Sequence, residues 1–161
     1  MIDINIAQPA LEAAMSELGG DLQLPMSFDH QNVCIFRYQA SIDIAVQIFP
    51  DQGRITFAAV LVDEVDPSTP GLFPMLATFN WMGMYTRGGA VCINDETRSV
   101  LFWRDPVCTH WDAATLKLEL EDFIGLAIDI RGKFDEGLRL LPEALTGTAS
   151  LSSRVDGGRF A

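Results

Sequence analysis

The segment from Ile42 to Val62 reads IDIAVQIFPDQGRITFAAVLV, and this stretch decides the fold. Apolar residues alternate with polar or smaller ones on both sides of its centre, which is the period of half-buried strands. In the centre, Pro50 presets a bend and Gly53 supplies a left-handed exit from it. The segment therefore predicts an antiparallel hairpin, with strands over 42–49 and 54–62.

The sequence on either side of the hairpin predicts three helices and three more strands. In chain order these are a helix over 7–18, a strand over 33–38, a helix over 71–84, strands over 91–93 and 100–103, and a helix from an N-cap at Asp112 to residue 141. The last helix would be about 45 Å long, so a break is expected at Gly125, Gly132 or Gly137. The order α-β-β-β-α-β-β-α indicates an α+β fold, in which a twisted, mainly antiparallel sheet packs against helices.

Length and charge bound the organisation of the chain and its partners. The 161 residues are expected to form one domain over 1–145, followed by a Gly/Ser/Thr-rich, flexible tail over 146–161. Eleven basic and 22 acidic residues give a net charge of −11, which disfavours nucleic acid and anionic membrane surfaces as partners. Three irregularly spaced cysteines and an N-terminus without a signal-peptide pattern indicate a reduced, cytoplasmic protein.

No motif in the sequence indicates catalysis or a bound metal. Cys108 and His110 form the only close Cys/His pair, and alternate residues of a loop point in different directions, so a nucleophile–base arrangement is not expected. The other cysteines, Cys34 and Cys92, offer no paired ligand spacing for zinc. The chain is therefore predicted to have no enzyme activity, no cofactor and no metal site.

The helix predicted over 71–84 is apolar on nearly every face. From Leu72 to Met84 it contains only Thr78 and Asn80 as polar residues, whereas a surface helix of one domain shows a polar side. A second copy of the chain is therefore expected to cover it, which makes the protein a homodimer. The residues expected at this interface are Phe73, Leu76, Phe79, Trp81 and Met82, with Leu101 and Trp103 of the last strand.

Over roughly residues 6–141 the chain resembles the class I type III secretion chaperones, the Tir-chaperone (CesT-like) family. The resemblance rests on the order and spacing of residues within each element. These residues are Leu11 and Leu18-Gly19, the hairpin around Pro50 and Gly53, Leu76 to Asn80, Gly88-Gly89, Leu101, and Leu116, Leu120 and Phe123-Ile124. The chain departs from the family at His30-Gln31-Asn32, where a glycine turn is usual, and near Ile130, where an aromatic residue is common.

The resemblance implies a bacterial, cytoplasmic homodimer that binds the N-terminal region of a secreted effector. It would keep that region soluble and non-globular and aid its export without ATP. The secretion ATPase or the export apparatus is a further implied partner. Two other functions stay open: a related binding or regulatory module outside secretion, and an uncharacterised enzyme that uses Cys108 or His110.

The effector segment is expected to bind in extended form beside the first hairpin. The hairpin face opposite the core is more apolar than a solvent-facing surface requires, and the first strand, an expected edge, continues it. The first helix would wall this track. The residues expected to bind the effector are Leu11, Met15, Val33, Ile35, Phe49, Val60 and Val62.

Overall fold

The computed structural model describes residues 9, 12–17, 19–20, 26–39, 41–49, 52, 54–106 and 113–140. Residues 12–17 and 19–20 are helical and form α1. The elements that follow are β1 (Val33–Tyr38), β2 (Ile42–Phe49), β3 (Arg54–Val62), α2 (Leu72–Asn80), β4 (Ala90–Asn94), β5 (Ser99–Arg104) and α3 (Ala113–Leu140). The predicted α+β order is confirmed. The expected flexible tail, Leu11, Cys108, His110 and the N-cap at Asp112 lie outside the described residues.

The five strands form one antiparallel sheet in the order β1-β2-β3-β5-β4. The predicted hairpin pairs Ile48 with Ile55 on either side of its turn. The second hairpin joins the first through β3 and β5, which places Ala58 opposite Trp103. Because the order begins with β1 and ends with β4, these two strands are the edges of the sheet.

One face of the sheet carries the core. Every second residue of β2 and β3 is buried on this face, and α3 packs against β3. The ring of Phe123 in α3 lies 5.5 Å from that of Phe57 and 5.0 Å from that of Phe102, measured between centroids. Arg104 is also buried here, and its charge is met by Asp122, whose Oδ2 accepts a hydrogen bond from Arg104 Nη1 at 3.0 Å. The core therefore joins both hairpins to one helix.

The pairing register of β3 changes near its end. Its pairing with β5 shifts between Val60 and Val62, as at a β-bulge. Val62, expected with Val60 on the face opposite the core, is half-buried like Val60 and also contacts the core cluster.

Helix α3 is continuous over 28 residues, so the predicted break at one of its glycines is wrong. A glycine in a helix costs about 1 kcal/mol relative to alanine, and this cost is local. The apolar stripe from Leu116 to Phe134 is buried along the same helix, and its burial outweighs the glycine cost. Despite this length, neither α3 nor any other helix in the described part of the chain is apolar enough to cross a membrane.

Two of these glycines can be replaced with a gain in stability. Gly125→Ala and Gly132→Ala are each expected to raise the free energy of unfolding by about 0.5–1 kcal/mol, because an added Cβ would meet no atom within 4 Å. Gly137→Ala is the matched control, since its Cβ would lie 2.6 Å from Met75 Sδ and offset the gain. Urea unfolding measures all three, and equal changes at the three sites would contradict the explanation.

Helix α2 ends at Asn80, four residues before the predicted end. A 3-10 turn over Trp81–Gly83 follows it, in which Met82 adopts a left-handed backbone with φ 52°. A left-handed residue other than glycine costs roughly 1–2 kcal/mol, so the surrounding structure holds this turn in place. The apolar run from Leu72 to Met84 is therefore a short helix and a turn instead of one helix.

Candidate interaction surfaces

An exposed apolar surface runs along α2 and the turn after it. We name it the α2 patch, and its members are Phe73, Trp81, Met82, Met84 and Tyr85. Trp81 is 64% exposed and Met82 is 83% exposed, and Met82 is the residue with the left-handed backbone. Phe73, Ala77 and Trp81 follow at intervals of four residues, which places them on one side of the helix. The α2 patch is thus an apolar stripe that the described part of the protomer leaves exposed.

A groove lies beside the α2 patch. It has a volume of about 330 Å³ and is lined by Ala77, Thr78, Trp81, Met84 and Tyr85. On its far side, the Nζ atom of Lys133 lies 5.4 Å from the centre of the Tyr85 ring. Since the lining is mostly apolar, the groove suits an apolar side chain of a partner.

Two residues expected at the dimer interface face the core instead. Leu76 and Phe79 are each 7% exposed, and the Phe79 ring lies 5.5 Å from the ring of Phe134 in α3. Together with Leu72 they form the buried side of α2. They support the patch from beneath, so the exposed part of the predicted set is Phe73, Trp81 and Met82.

The second surface is the side of the sheet opposite the core, which we name the open face. The strand register aligns one residue from each strand across it: Ile35, Ala45, Ala58, Trp103 and Ala90. Ile35 is 70% exposed and Trp103 is 36% exposed. They are three strand spacings apart, about 14 Å, with two alanines between them. Between Ile35 and Trp103 the row is therefore a shallow apolar trough with a large side chain at each end.

Other predicted residues lie on or near the open face. Val60 is half-buried and pairs with Leu101 of β5, which the sequence analysis assigned to the dimer interface. Phe49 is half-buried under the guanidinium of Arg54, whose Cζ lies 4.5 Å from its ring centre. Met15, by contrast, is 1% exposed in the core, so α1 does not present it to a ligand.

The edge of β1 is only partly open. Ile48 N–H donates to Asn32 O at 3.0 Å, so the antiparallel alternation turns the main-chain groups of Val33, Ile35 and Arg37 away from β2. Asp29 already bonds the N–H and the C=O of Val33. The Oδ1 of Asp29 accepts the Val33 N–H at 2.9 Å, and the N–H of Asp29 donates to Val33 O at 2.9 Å. The open part of the edge therefore begins at Ile35.

Two carboxylates at this edge have lowered pKa values. The hydrogen bond from Val33 N–H is the main cause that lowers the pKa of Asp29, and the hydrogen bond from Arg37 is the main cause at Asp43. Arg37 Nε lies 2.6 Å from Asp43 Oδ1. Both carboxylates are therefore ionised at neutral pH, and Asp29 is a hydrogen-bond acceptor there. Asp29 is not among the residues predicted from the sequence, although Asp before a turn is a common acceptor of nearby N–H groups.

The described thiols are unsuited to catalysis. Cys34 lies on the buried face of β1, and Cys92 lies in β4 beside Leu101. Burial raises the pKa of both thiols, so both are protonated at neutral pH and weakly nucleophilic.

Solved structures with the same fold include chaperone complexes. A chain in the crystal structure of the ExsC–ExsE complex matches with a TM-score of 0.61 and 21% identity, over 82% of this chain and 93% of its own. A chain in the structure of the HopA1–SchA chaperone–effector complex matches with a TM-score of 0.56 and 12% identity, over 74% and 91%. The chain therefore has the same fold as a chain in each of these two complexes.

The family follows from the sequence comparison. The sequence model of the Tir chaperone protein (CesT) family matches residues 13–131, which is most of the chain. The chain therefore belongs to the Tir chaperone protein family of type III secretion chaperones, and the resemblance noted from the sequence is confirmed. Comparison with curated protein sequences gives no significant match.

Proposed function

We propose that the protein is a homodimeric type III secretion chaperone that holds an extended segment from the N-terminal region of a secreted effector, its client. The observation that carries the proposal is the combination of an open strand edge at Ile35 with an apolar face beside it. An extended peptide can bond to such an edge and place alternate side chains on the face. This requires no catalytic group, cofactor or ATP.

The client is proposed to bind to β1 and the open face. Ile35 and Arg37 offer outward N–H and C=O groups for an added strand. Side chains of that strand on the open face would lie beside Ile35, and long ones would reach across it towards Ala45. Because alanine side chains are small, the trough beyond Ile35 has room for larger client side chains. Trp103 forms the other end of the trough. Main-chain bonds would then provide affinity, and the trough would select the apolar residues of the client.

The α2 patch is proposed to bind the α2 patch of a second copy. Since aromatic side chains carry on the order of 150–250 Å² each, the patch exposes on the order of 600 Å². This is at the upper limit for a monomer, and two such patches together would bury on the order of 1,200 Å², the lower range of a stable interface. The groove beside Trp81 would accept a side chain of the second copy.

Further partners follow from the proposed role. A chaperone that delivers an effector must release it to the export apparatus, and the secretion ATPase is the proposed site of that release. The net charge of −11 would favour a basic surface on that partner. The proposed location is the bacterial cytoplasm, where effectors are made.

The test is co-expression of the tagged chain with the products of genes adjacent to its own. A stable complex is expected with one secreted protein, in the absence of nucleotide. Limited proteolysis of the complex should leave a protected fragment from the N-terminal region of that protein. A protected fragment from a folded domain, or a complex only with a protein that is not secreted, would overturn the proposal and favour a regulatory binding module.

A further inference from the structure

Each edge of the sheet carries one residue that bonds both outward main-chain groups of a strand residue. At β4 this residue is Asn80, the last residue of α2. Its Oδ1 accepts the N–H of Val91 at 2.8 Å, and its Nδ2 donates to the O of Val91 at 2.8 Å. A side-chain amide presents the same donor and acceptor as a peptide group. Asn80 thus occupies the position that a residue of an added strand would take.

Asn80 leaves little of the β4 edge free. Ala90, Cys92 and Asn94 pair with β5 through the ladder, so among the residues of β4 the outward ones are Val91 and Ile93. With Val91 occupied, Ile93 is the one outward residue of β4 that Asn80 does not bond. Helix α2 also packs against this strand. A strand could therefore form at most one bonded pair here.

The β1 edge has the corresponding residue at its beginning. Asp29 bonds both outward groups of Val33, through its carboxylate and its own N–H. Ile35 and Arg37 remain, which allows two bonded pairs. Gln39, beyond the end of β1, has a left-handed backbone with φ 48° and does not continue the strand. The open edge is thus limited at both ends.

We propose that Asn80 and Asp29 restrict strand addition to one site per protomer, the edge of β1 at Ile35 and Arg37. This inference rests on the proposed function, since the added strand is the client. It assigns one client strand to each protomer, with its first bonded pair at Ile35. It also assigns Asn80 a protective role, because an unoccupied strand edge pairs with the edge of another copy.

Asn80→Ala in the full-length chain tests the β4 part. Exchange of the Val91 amide hydrogen, measured by NMR, is expected to be at least tenfold faster than in the wild type. The Cys92 amide, which bonds β5, is expected to stay within about threefold, whereas general destabilisation of β4 would speed both. Sedimentation at increasing concentration is expected to give species larger than the wild-type assembly.

Asn80→Asp is the matched variant, because its carboxylate still accepts the Val91 N–H but cannot donate to the Val91 O at neutral pH. Its Val91 amide is expected to stay protected within about threefold of the wild type. If Asn80→Ala leaves both the Val91 exchange rate and the sedimentation unchanged, the protective role of Asn80 is wrong.

Asp29 is tested in the same way at β1. Asp29→Ala is expected to speed exchange of the Val33 amide at least tenfold and to increase concentration-dependent association, whereas Asp29→Asn retains an acceptor oxygen and is expected to behave as the wild type. Identical exchange at Val33 in the two variants would overturn the role of Asp29. None of these measurements includes a client. The roles of Asn80 and Asp29 can therefore be disproved while client binding is confirmed, and client binding can be disproved while these roles are confirmed.

Discussion

Replacing Ile35 with proline is expected to weaken binding of the client segment at least tenfold while the protein stays folded. The Ile35 N–H points away from β2, so proline removes no hydrogen bond of the sheet, and edge strands tolerate proline in this orientation. The change removes a donor that the added strand needs and places the ring where that strand would approach. A hydrogen bond worth about 1 kcal/mol and the steric block together exceed a tenfold loss.

Ile35→Val is the matched control, because it keeps the N–H and a β-branched side chain. Its affinity is expected to stay within about threefold of the wild type. Calorimetric titration with the effector fragment obtained by co-expression measures both variants, and circular dichroism with thermal unfolding checks that both are folded. Wild-type affinity in folded Ile35→Pro would move the client from the β1 edge to another surface, and Val60→Asp would then test the open face alone.

The strands were predictable because their signal is local. Alternation with a period of two survives in each strand that packs on one side, and the residue types at Pro50 and Gly53 predict a turn between the first pair. The bounds predicted for the five strands agree with those of the structure to within one residue. The edge position of β1 was also predicted, since no turn signal links it to a strand on its other side.

The two helical errors have causes outside the local sequence. Only Thr78 and Asn80 are polar in the run before Gly83. The chain turns after Asn80, whose side chain bonds Val91 eleven residues later. In α3 the glycines indicated a break, but the buried stripe stabilises the helix along its whole length. A sequence pattern reflects local preference. It therefore does not include the hydrogen bond between Asn80 and Val91 or the burial of the apolar stripe of α3.

The surfaces were harder to predict than the elements. A helix with only two polar residues, Thr78 and Asn80, does not define its outward side, so Leu76 and Phe79 could not be separated from Phe73 and Trp81. Met15 in α1 presents the same difficulty. The register shift near Val62, which contacts the core cluster, leaves no mark in a run of apolar residues.

A charge in the α2 patch is expected to dissociate the dimer. The double variant Phe73→Asp and Trp81→Asp places up to four carboxylates into an apolar two-fold interface, where each would lose its hydration without a partner. Light scattering at micromolar concentration is expected to give about 17.7 kDa for the variant and twice that mass for the wild type. Both positions are 64% exposed in the protomer, so the fold does not depend on their apolar character.

Leu118→Asp is the matched control for this experiment. Leu118 is 66% exposed on α3 and lies outside the α2 patch, so the same change at similar exposure is expected to leave the dimer mass unchanged. A monomeric wild type would disprove the dimer outright. A dimer that survives the double variant but is lost in Leu118→Asp would transfer the interface to α3, and the α2 patch would then be free to bind the client. If only the double variant dissociates, its affinity for the client fragment shows whether the client binds the β1 edge or the α2 patch. The affinity is expected to be retained, because the β1 edge of each protomer is complete without the second copy.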